Sequence, residues 1–381
     1  MKHQLPLGVL AIMLVFGLVF TGCEIGITDN DTTGSGSIGQ VTFVSAGNYH
    51  SLVIGANGNL WSWGFNNHGQ LGNSTTANRN FPVRVSTATN WISVSAGRVQ
   101  SLGVRADGSL WAWGATEIGD PSIDRIYPIR LGTANDWAFV SAGTTHNIAI
   151  KTDGSLWAWG DNANSQLGDK TTTIRRIPYK IGTSDDWAYV SAGHDYNLAI
   201  KTNGTLWAWG INDKGQLGNN STATIDEPTQ IGTRNDWVSV SAGRNHSLGV
   251  MTDGSLWAWG DNEHGQLGLG DNIEMRIPTW VEPDLNWKSV SAGEGHSVAV
   301  RTTGCLWAWG AVWTSQSGLN IPANLEPVKV GTDTNWTSVS AGHRHSFGVK
   351  TNGTLWAWGV NSEGQLGDGT NIRKFDPVRI N

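Results

Sequence analysis

The feature that most constrains the fold is a five-residue motif, Leu-Trp-x-Trp-Gly, which occurs seven times. Its copies begin at Leu60, Leu110, Leu156, Leu206, Leu256, Leu306 and Leu355. Successive copies lie 46 to 50 residues apart. A nearly constant period of this length predicts a repeat architecture, in which each copy is one structural unit that packs against its neighbours.

Each copy contains four stretches with the composition of β-strands. In the fifth copy the first three are 237–243 (WVSVSAG), 246–252 (HSLGVMT) and 256–259 (LWAW). The Asp253-Gly254 pair between the second and third stretches predicts a tight hairpin, because both central residues of a type I′ turn need positive φ. The fourth stretch contains proline, as in 177–181 of the third copy, which favours an outer edge strand.

Four short strands repeated seven times predict an all-β fold, a seven-bladed β-propeller of four-stranded antiparallel blades. The third strand is apolar on both faces, since Trp257 and Trp259 alternate with Leu256 and Ala258. Such a strand is buried on both sides when blades stack. A solenoid would need polar capping repeats, and the first and last copies are close to consensus, which favours a closed ring. The first copy begins with Val41, where the other copies have Trp. The sequence therefore leaves two ways to close the ring: the 41–44 strand completes the last blade, or it stays in the first blade.

The N-terminus predicts export. An apolar run of about 16 residues, Leu5 to Phe20, follows Lys2 and His3 and has the length of a signal-peptide core. The run ends in Phe20-Thr21-Gly22-Cys23, which resembles a bacterial lipobox with Cys23 as the lipidated residue. We expect a signal peptide at 1–22, a flexible tether at 23–39 and the propeller at 40–381. The expected location is a bacterial membrane surface facing the periplasm or the exterior, with membrane contact through the anchor; an ordinary signal peptide and a membrane anchor are the alternatives.

The repeated combination SAGxxHS, Asp/Asn-Gly, LWAWG and GQLG resembles the regulator of chromosome condensation repeat family over residues 41–381. The resemblance implies a ring whose loops bind another protein. Known members include a guanine-nucleotide exchange factor, a plant UV-B photoreceptor and a bacterial β-lactamase inhibitor. Exchange activity stays an alternative by analogy alone, because the chain has no long insertion to displace a nucleotide and export separates it from small GTPases. The Trp that follows the SAG glycine in the photoreceptor repeats is replaced here in every copy.

Composition and motifs argue against several classes of activity. The net charge is −6 and no Lys/Arg cluster is visible in the sequence, so nucleic acid is not an expected partner. The His of SAGxxH recurs as His50, His146, His246, His296 and His345, with Gln100 and Tyr196 in the other copies. A residue repeated in most blades is expected to hold the blade together. Ser241 lies five residues before His246 but no consistent carboxylate completes a triad. No metal, cofactor or enzymatic activity is predicted.

Positions that differ between copies are the candidates for function. Strand direction places the SAGxxH and GQLG loops on one face of the ring. The expected partner-binding residues are the variable residues of these loops: Tyr49, Arg98, His194, Asp195, Arg244, Glu294, Trp313, His343 and Arg344. Their mix of both charges with aromatic groups favours a protein partner. Trp313 and Trp280 stand outside the repeated Trp positions and are expected to be exposed, so binding of a cell-surface glycan is the alternative.

Overall fold

A computed structural model describes residues 37–115, 125–281, 286–311 and 324–381. These residues form 28 strands in seven separate four-stranded antiparallel sheets, each made of four consecutive strands. The predicted seven-bladed, all-β propeller is confirmed. Within the described residues no helix is long and apolar enough to cross a membrane.

The four positions within a blade have nearly constant lengths in all copies. The innermost strands are β1 Val41–Ala46, β5 Trp91–Ala96, β9 Trp137–Ala142, β13 Trp187–Ala192, β17 Trp237–Ala242, β21 Trp287–Ala292 and β25 Trp336–Ala341. The second strands are β2 His50–Gly55, β6 Gln100–Arg105, β10 His146–Lys151, β14 Tyr196–Lys201, β18 His246–Met251, β22 His296–Arg301 and β26 His345–Lys350.

The third strands are β3 Leu60–Gly64, β7 Leu110–Gly114, β11 Leu156–Gly160, β15 Leu206–Gly210, β19 Leu256–Gly260, β23 Leu306–Gly310 and β27 Leu355–Gly359. The outer strands are β4 Arg79–Arg84, β8 Arg125–Arg130, β12 Arg175–Lys180, β16 Ile225–Gln230, β20 Met275–Trp280, β24 Asn324–Lys329 and β28 Lys374–Ile380. Outer strands begin two residues earlier than the sequence suggested, because a bulge lets Gly160 pair with Arg175.

Blades pack through one tryptophan of each pair. The second Trp of every LWxWG motif is fully buried, whereas the first is half-buried in all blades but the first. The two tryptophans differ in burial because one contacts the preceding blade and the other contacts the turn of its own blade. In blade five the Trp259 indole donates to the carbonyl of Gln216 in the preceding blade, while Trp257 donates to the Ser255 hydroxyl of its own turn. Burial of the second Trp therefore joins blades, and the first Trp closes the end of its own blade.

The repeated histidines are structural, as predicted, but they join neighbouring blades instead of holding one blade together. His246 Nε2 lies 3.0 Å from the hydroxyl of Ser297 in the next blade, and that hydroxyl donates to the carbonyl of Gln266. Because the hydroxyl proton is already used, the imidazole is the donor. Burial lowers the His246 pKa to about 3. The exceptions serve the same junction, since Gln100 donates to the Gly143 carbonyl and Tyr196 to the His246 carbonyl.

The ring closes without strand exchange, because β1 belongs to blade one and β25 to β28 form blade seven alone. The closing junction reproduces the one between blades one and two. The Ala46 N–H donates to the Ser340 hydroxyl, as Ala96 does to Ser45 in the next junction. The Trp63 indole donates to the carbonyl of Gln365. Of the two closures left open by the sequence, the one without the added 41–44 strand is observed.

At the opposite face, near the Asp/Asn-Gly turns, a cation lies between two indoles in five blades. Lys201 Nζ is 4.8 Å from the Trp187 ring and 4.5 Å from the Trp207 ring. The equivalent residues in the other four blades are Arg105, Lys151, Arg301 and Lys350. Blade five has Met251 at this position. Blade one has neither the cation nor the tryptophan of the innermost strand, since Gly55 and Val41 occupy these two positions.

Candidate functional site at the channel mouth

A ring of seven glycines forms the opening of the axial channel on the SAGxxH face, called the mouth below. Its members are Gly47, Gly97, Gly143, Gly193, Gly243, Gly293 and Gly342. A Cβ built on Gly243 would lie 2.7 Å from the carbonyl oxygen of Gly293 and 2.9 Å from the His246 ring. Only glycine permits this approach. The repeated SAG motif thus sets the width of the mouth, and the residue after each glycine stands at its edge.

The structure brings the variable residues of different blades to this one opening. The residues that line it beside the glycines are Asn48, Thr144, His194, Arg244, Glu294 and His343. Two variable residues separate the SAG glycine from the histidine in each copy. The second of them contacts residues of the loop that follows the third strand. The Phe65 N–H donates to the Tyr49 carbonyl, and the amide of Asn164 donates to Asp195. The predicted placement of both loops on one face is confirmed.

Glu294 is the centre of an ion-pair network that crosses three blades. Its carboxylate accepts hydrogen bonds from Arg244 of blade five and, at 2.6 Å, from Nε of Arg344 of blade seven. His343 Nε2 lies 3.0 Å from the same carboxylate. Burial of the carboxylate by itself would raise its pKa, but the bonds from His343 and Arg344 outweigh burial and lower the Glu294 pKa to about 2. The network therefore holds four predicted site residues in fixed positions.

An aromatic group adjoins this network. The Tyr49 ring lies 5.5 Å from the His343 ring and 6.2 Å from the Phe65 ring, measured between centroids. His68 continues the row at 6.2 Å from Phe65. Tyr49 and His343 were predicted as site residues. Phe65 and His68 were missed, although Phe65 is the residue directly after LWxWG and differs there from the Asp, Ile, Val and Ala of other copies.

A second charged pair lies at blade four. His194 Nδ1 and the Asp195 carboxylate are 2.9 Å apart, and Asn164 of blade three donates to the same carboxylate at 3.3 Å. Burial would raise the Asp195 pKa, but the hydrogen bond from His194 and its charge lower it overall. Asn164 was also missed by the sequence argument, because it belongs to the loop of a different copy.

The remaining predicted residues are placed differently. Arg98 is exposed beside the mouth on blade two. Cys23 and Trp313 lie outside the described residues, so the predicted lipidation and the predicted exposure of Trp313 stay predictions. Trp280 is 48% exposed, as predicted, but it ends an outer strand and is remote from the mouth in the fold.

At the mouth, the positively charged side chains are more exposed to solvent than the negatively charged ones. The Arg244 and Arg344 side chains are 44% and 47% exposed, whereas the Glu294 side chain is 14% exposed. Asp195 is similarly covered, at 15%. Within the described residues no group of three or more His, Cys, Asp or Glu could hold a metal ion. The arrangement offers guanidinium donors and aromatic faces for recognition of a partner.

Comparison with known proteins identifies relatives of this ring. The chain is similar to human WBSCR16, with 21% identity, a TM-score of 0.77 and coverage of 85% of this chain and 94% of that chain. It is similar to Prp20p of Saccharomyces cerevisiae, whose structure was described with its binding to Gsp1p and histones, with 23% identity, a TM-score of 0.75 and coverage of 91% and 87%. These identities establish likeness of fold.

Sequence comparison adds a plant relative over one repeat. The mitochondrial RCC1 domain-containing protein RUG3 of Arabidopsis thaliana is 39% identical over 46 residues, which are 12% of this chain and 10% of that protein. The match thus spans about a tenth of that relative's length. Models of the regulator of chromosome condensation (RCC1) repeat match residues 57–104 and 41–70. The model of the RCC1-like domain matches residues 122–381, more than half of the chain. The chain therefore belongs to the family of RCC1-like domains.

Proposed function

We propose that this protein is a non-enzymatic binding module that holds a protein partner at the mouth and is displayed outside the cytoplasm on a lipid anchor at Cys23. The observation that carries the proposal is the convergence of variable residues at one opening. The glycine, serine and histidine around them are repeated from blade to blade, whereas the residues at the edge are Asn48, Thr144, His194, Arg244, Glu294 and His343.

The contacts at the mouth suit recognition of a protein surface. The three-blade network around Glu294 fixes Arg244 and Arg344 before any partner arrives, so less side-chain entropy is lost on binding. Arginine and tyrosine are enriched among the residues that dominate binding energy in protein interfaces. Binding of Gsp1p and histones by the yeast relative supports the use of this fold for protein partners.

Capture by the ring tests the proposal. Residues 37–381 include all 28 strands and the closing junction, so they make a complete ring. As bait, this ring is compared with a mouth variant carrying Arg98→Ala, Arg244→Ala and Arg344→Ala. A matched control carries three exposed substitutions away from the mouth, Arg276→Ala, Lys288→Ala and Lys329→Ala.

We expect a protein from the cell envelope or its surroundings to bind the unmodified and control rings, and to bind the mouth variant on the order of tenfold more weakly. Equal retention by all three rings would overturn a mouth site. Display is tested separately, by incorporation of labelled fatty acid into the full chain and its loss in Cys23→Ser.

The two alternatives have distinct readouts in the same material. Retention of purified envelope polysaccharide, lost in Trp280→Ala, would support carbohydrate binding, because Trp280 is an exposed indole on the outer strand β20. Faster nucleotide release from a small GTPase would support exchange activity, which family analogy alone suggests.

A further inference from the structure

The outer strands of the ring differ in charge from one half to the other. Those of blades seven, one, two and three carry nine cations and one anion: Lys374, Arg379, Arg79, Arg84, Arg125, Arg130, Arg175, Arg176 and Lys180 against Asp376. Those of blades four, five and six carry two cations and three anions: Arg276 and Lys329 against Asp226, Glu227 and Glu326. We call the first set the rim arc. In sequence its members are about 50 residues apart, and the fold makes them neighbours.

Large apolar side chains are exposed on the same arc. They are Phe81, Tyr127, Ile177, Tyr179 and Phe375, with Tyr127 at 55% and Ile177 at 69%. At the position of Phe81, Tyr127 and Ile177, blades four and six have Glu227 and Glu326, and blade seven of the arc has Asp376 with Phe375 beside it. Blade five exposes Ile277 and Trp280, but its outer strand carries a single cation. Among the outer strands, only those of the arc combine an excess of cations with several exposed large apolar side chains.

Part of this charge is neutralised within the ring. Arg175 pairs with Asp169 at 2.7 Å and Lys374 with Asp368 at 3.1 Å, and Asp107 and Asp153 add negative charge near Arg130 and Lys180. Arg130, Lys180 and Arg379 are exposed at the far ends of their strands. With nine cations against one anion on its strands, the arc keeps a positive excess in a chain whose net charge is −6.

We propose that the rim arc binds the surface of a membrane that contains anionic lipids, so that the ring stands on its edge. This rests on the anchored display proposed above, which keeps the ring near such a surface. Cys23 precedes Ser37 by 14 residues, which reach at most about 50 Å when extended. Basic side chains near anionic headgroups and aromatic side chains at the interface are the two attractions that hold proteins on bilayers.

The asymmetry of charge explains how an acidic protein can bind an acidic surface. At physiological salt, charges farther than about 10 Å from the lipid are largely screened, so the surface interacts with the nearer half of the ring alone. A plane touches a ring through about two blades. Blades one and two, with Phe81 and Tyr127, are the middle of the arc, and blades seven and three add charge at its flanks. In this orientation the mouth opens sideways and stays accessible to a partner.

Flotation with vesicles tests the inference, using residues 37–381 without the anchor. The vesicles are phosphatidylcholine alone or phosphatidylcholine mixed with phosphatidylglycerol. We expect binding to the mixed vesicles only, weakened by added salt. Arg130→Glu with Lys180→Glu should lower the bound fraction at least fivefold, since each cation near the surface adds about a factor of five in affinity. Tyr127→Ser should also weaken binding.

Arg276→Glu with Lys329→Glu is the matched control, because it also reverses two exposed outer-strand cations and Lys329 has the same place on blade six as Lys180 on blade three. It should bind the mixed vesicles as the unmodified ring does. Equal binding to both vesicle types, or equal loss in this control, would overturn the arc. Binding to a soluble polyanion such as heparin without binding to mixed vesicles would overturn the membrane as its partner. The mouth variant should keep vesicle binding, which separates failure of this inference from failure of the proposed function.

Discussion

At the mouth, side chains of the loop before the second strand join neighbouring blades. At the opposite face, the side chains of the turn after that strand bond within their own blade, and the backbone makes the junction, as where the Trp287 N–H of blade six donates to the Gly254 carbonyl. In blade five the mouth side ends in His246, which donates to Ser297 of blade six. The turn side ends in Asp253, which accepts from Ser255 two residues later. The mouth junction uses the repeated histidine and leaves the two residues before it free to differ. The turn residues are repeated because each turn satisfies its own side chains and also presents its glycine carbonyl to the next blade. Variation along the repeat therefore marks surfaces that are available for binding.

The largest expected effect concerns acid stability at the mouth junctions. Burial lowers the pKa of His246 to about 3, and of His50 and His345 to similar values. The native imidazoles stay neutral while the unfolded ones bind protons below pH 6.5, so stability is complete above that pH and falls as the pH drops toward 3. His246→Gln copies Gln100. It should reduce the slope of the free energy of unfolding against pH by about 1.4 kcal/mol per pH unit between pH 6.5 and about pH 3.

Urea unfolding from pH 7 to pH 4 measures that slope. Gln100→His is the reverse variant and should steepen it by the same amount. An unchanged slope in His246→Gln would show that this histidine does not drive the acid response.

The second prediction concerns the glycine ring. Gly243→Ala places a methyl group 2.7 Å from the Gly293 carbonyl, so the free energy of unfolding should fall by about 1–3 kcal/mol. Gly295→Ala, in the next copy of the same loop, is the control, because its Cβ would meet a movable His264 side chain at 3.0 Å. Thermal unfolding checks both variants. Equal midpoints would mean that the mouth can widen without strain.

A smaller effect is expected on the opposite face. Lys201 lies between Trp187 and Trp207 and pairs with Asp186 at 2.9 Å. Lys201→Ala should lower the free energy of unfolding by about 1–2 kcal/mol through lost packing and cation–π contact. Lys201→Met copies Met251 of blade five, keeps the packing and should lose about half as much. If Met and Ala behave alike in denaturant unfolding, packing contributes little.

The smallest effect is a gain in stability. In blade six Cys305 occupies the position of Ser255, and the Trp307 indole N–H has no hydrogen-bond partner among the described residues. Cys305→Ser supplies an oxygen acceptor and should raise the free energy of unfolding by about 0.5–1.5 kcal/mol. Trp257 in blade five shows the bond that should form. Cys305→Ala, which supplies no acceptor, should show no such gain in the same melting experiment.

Much of this fold was predictable from the period of the LWxWG motif, because seven equal units with edge-strand prolines have few other arrangements. That the histidines are structural was predictable too, since the repeat compares each position with itself, but their bond to the next blade was not. The pairing at Glu294 was not predicted either, although Arg244, Glu294 and Arg344 are 50 residues apart and so occupy adjacent blades. Asn164 acts across copies, on Asp195 of the next blade, and side-chain reach between blades is set by packing that spacing does not reveal. Phe65 and His68 pack together within blade one, in a loop whose folded shape the sequence does not give. The rim arc escaped prediction for the same reason, because its cations cluster only in space.

The junction between the last blade and the first has a consequence for how the chain could be rearranged. Its Ala46–Ser340 and Trp63–Gln365 bonds are of the same kind as those at the junction between blades one and two. No strand is shared between blades, so a junction other than the natural one can hold the chain break. A circular permutant that begins at Trp237, with Asn381 linked to Gln40 by a segment as short as the natural connections, should form the same ring. The order of the seven units along the gene and their order around the axis are thus separable.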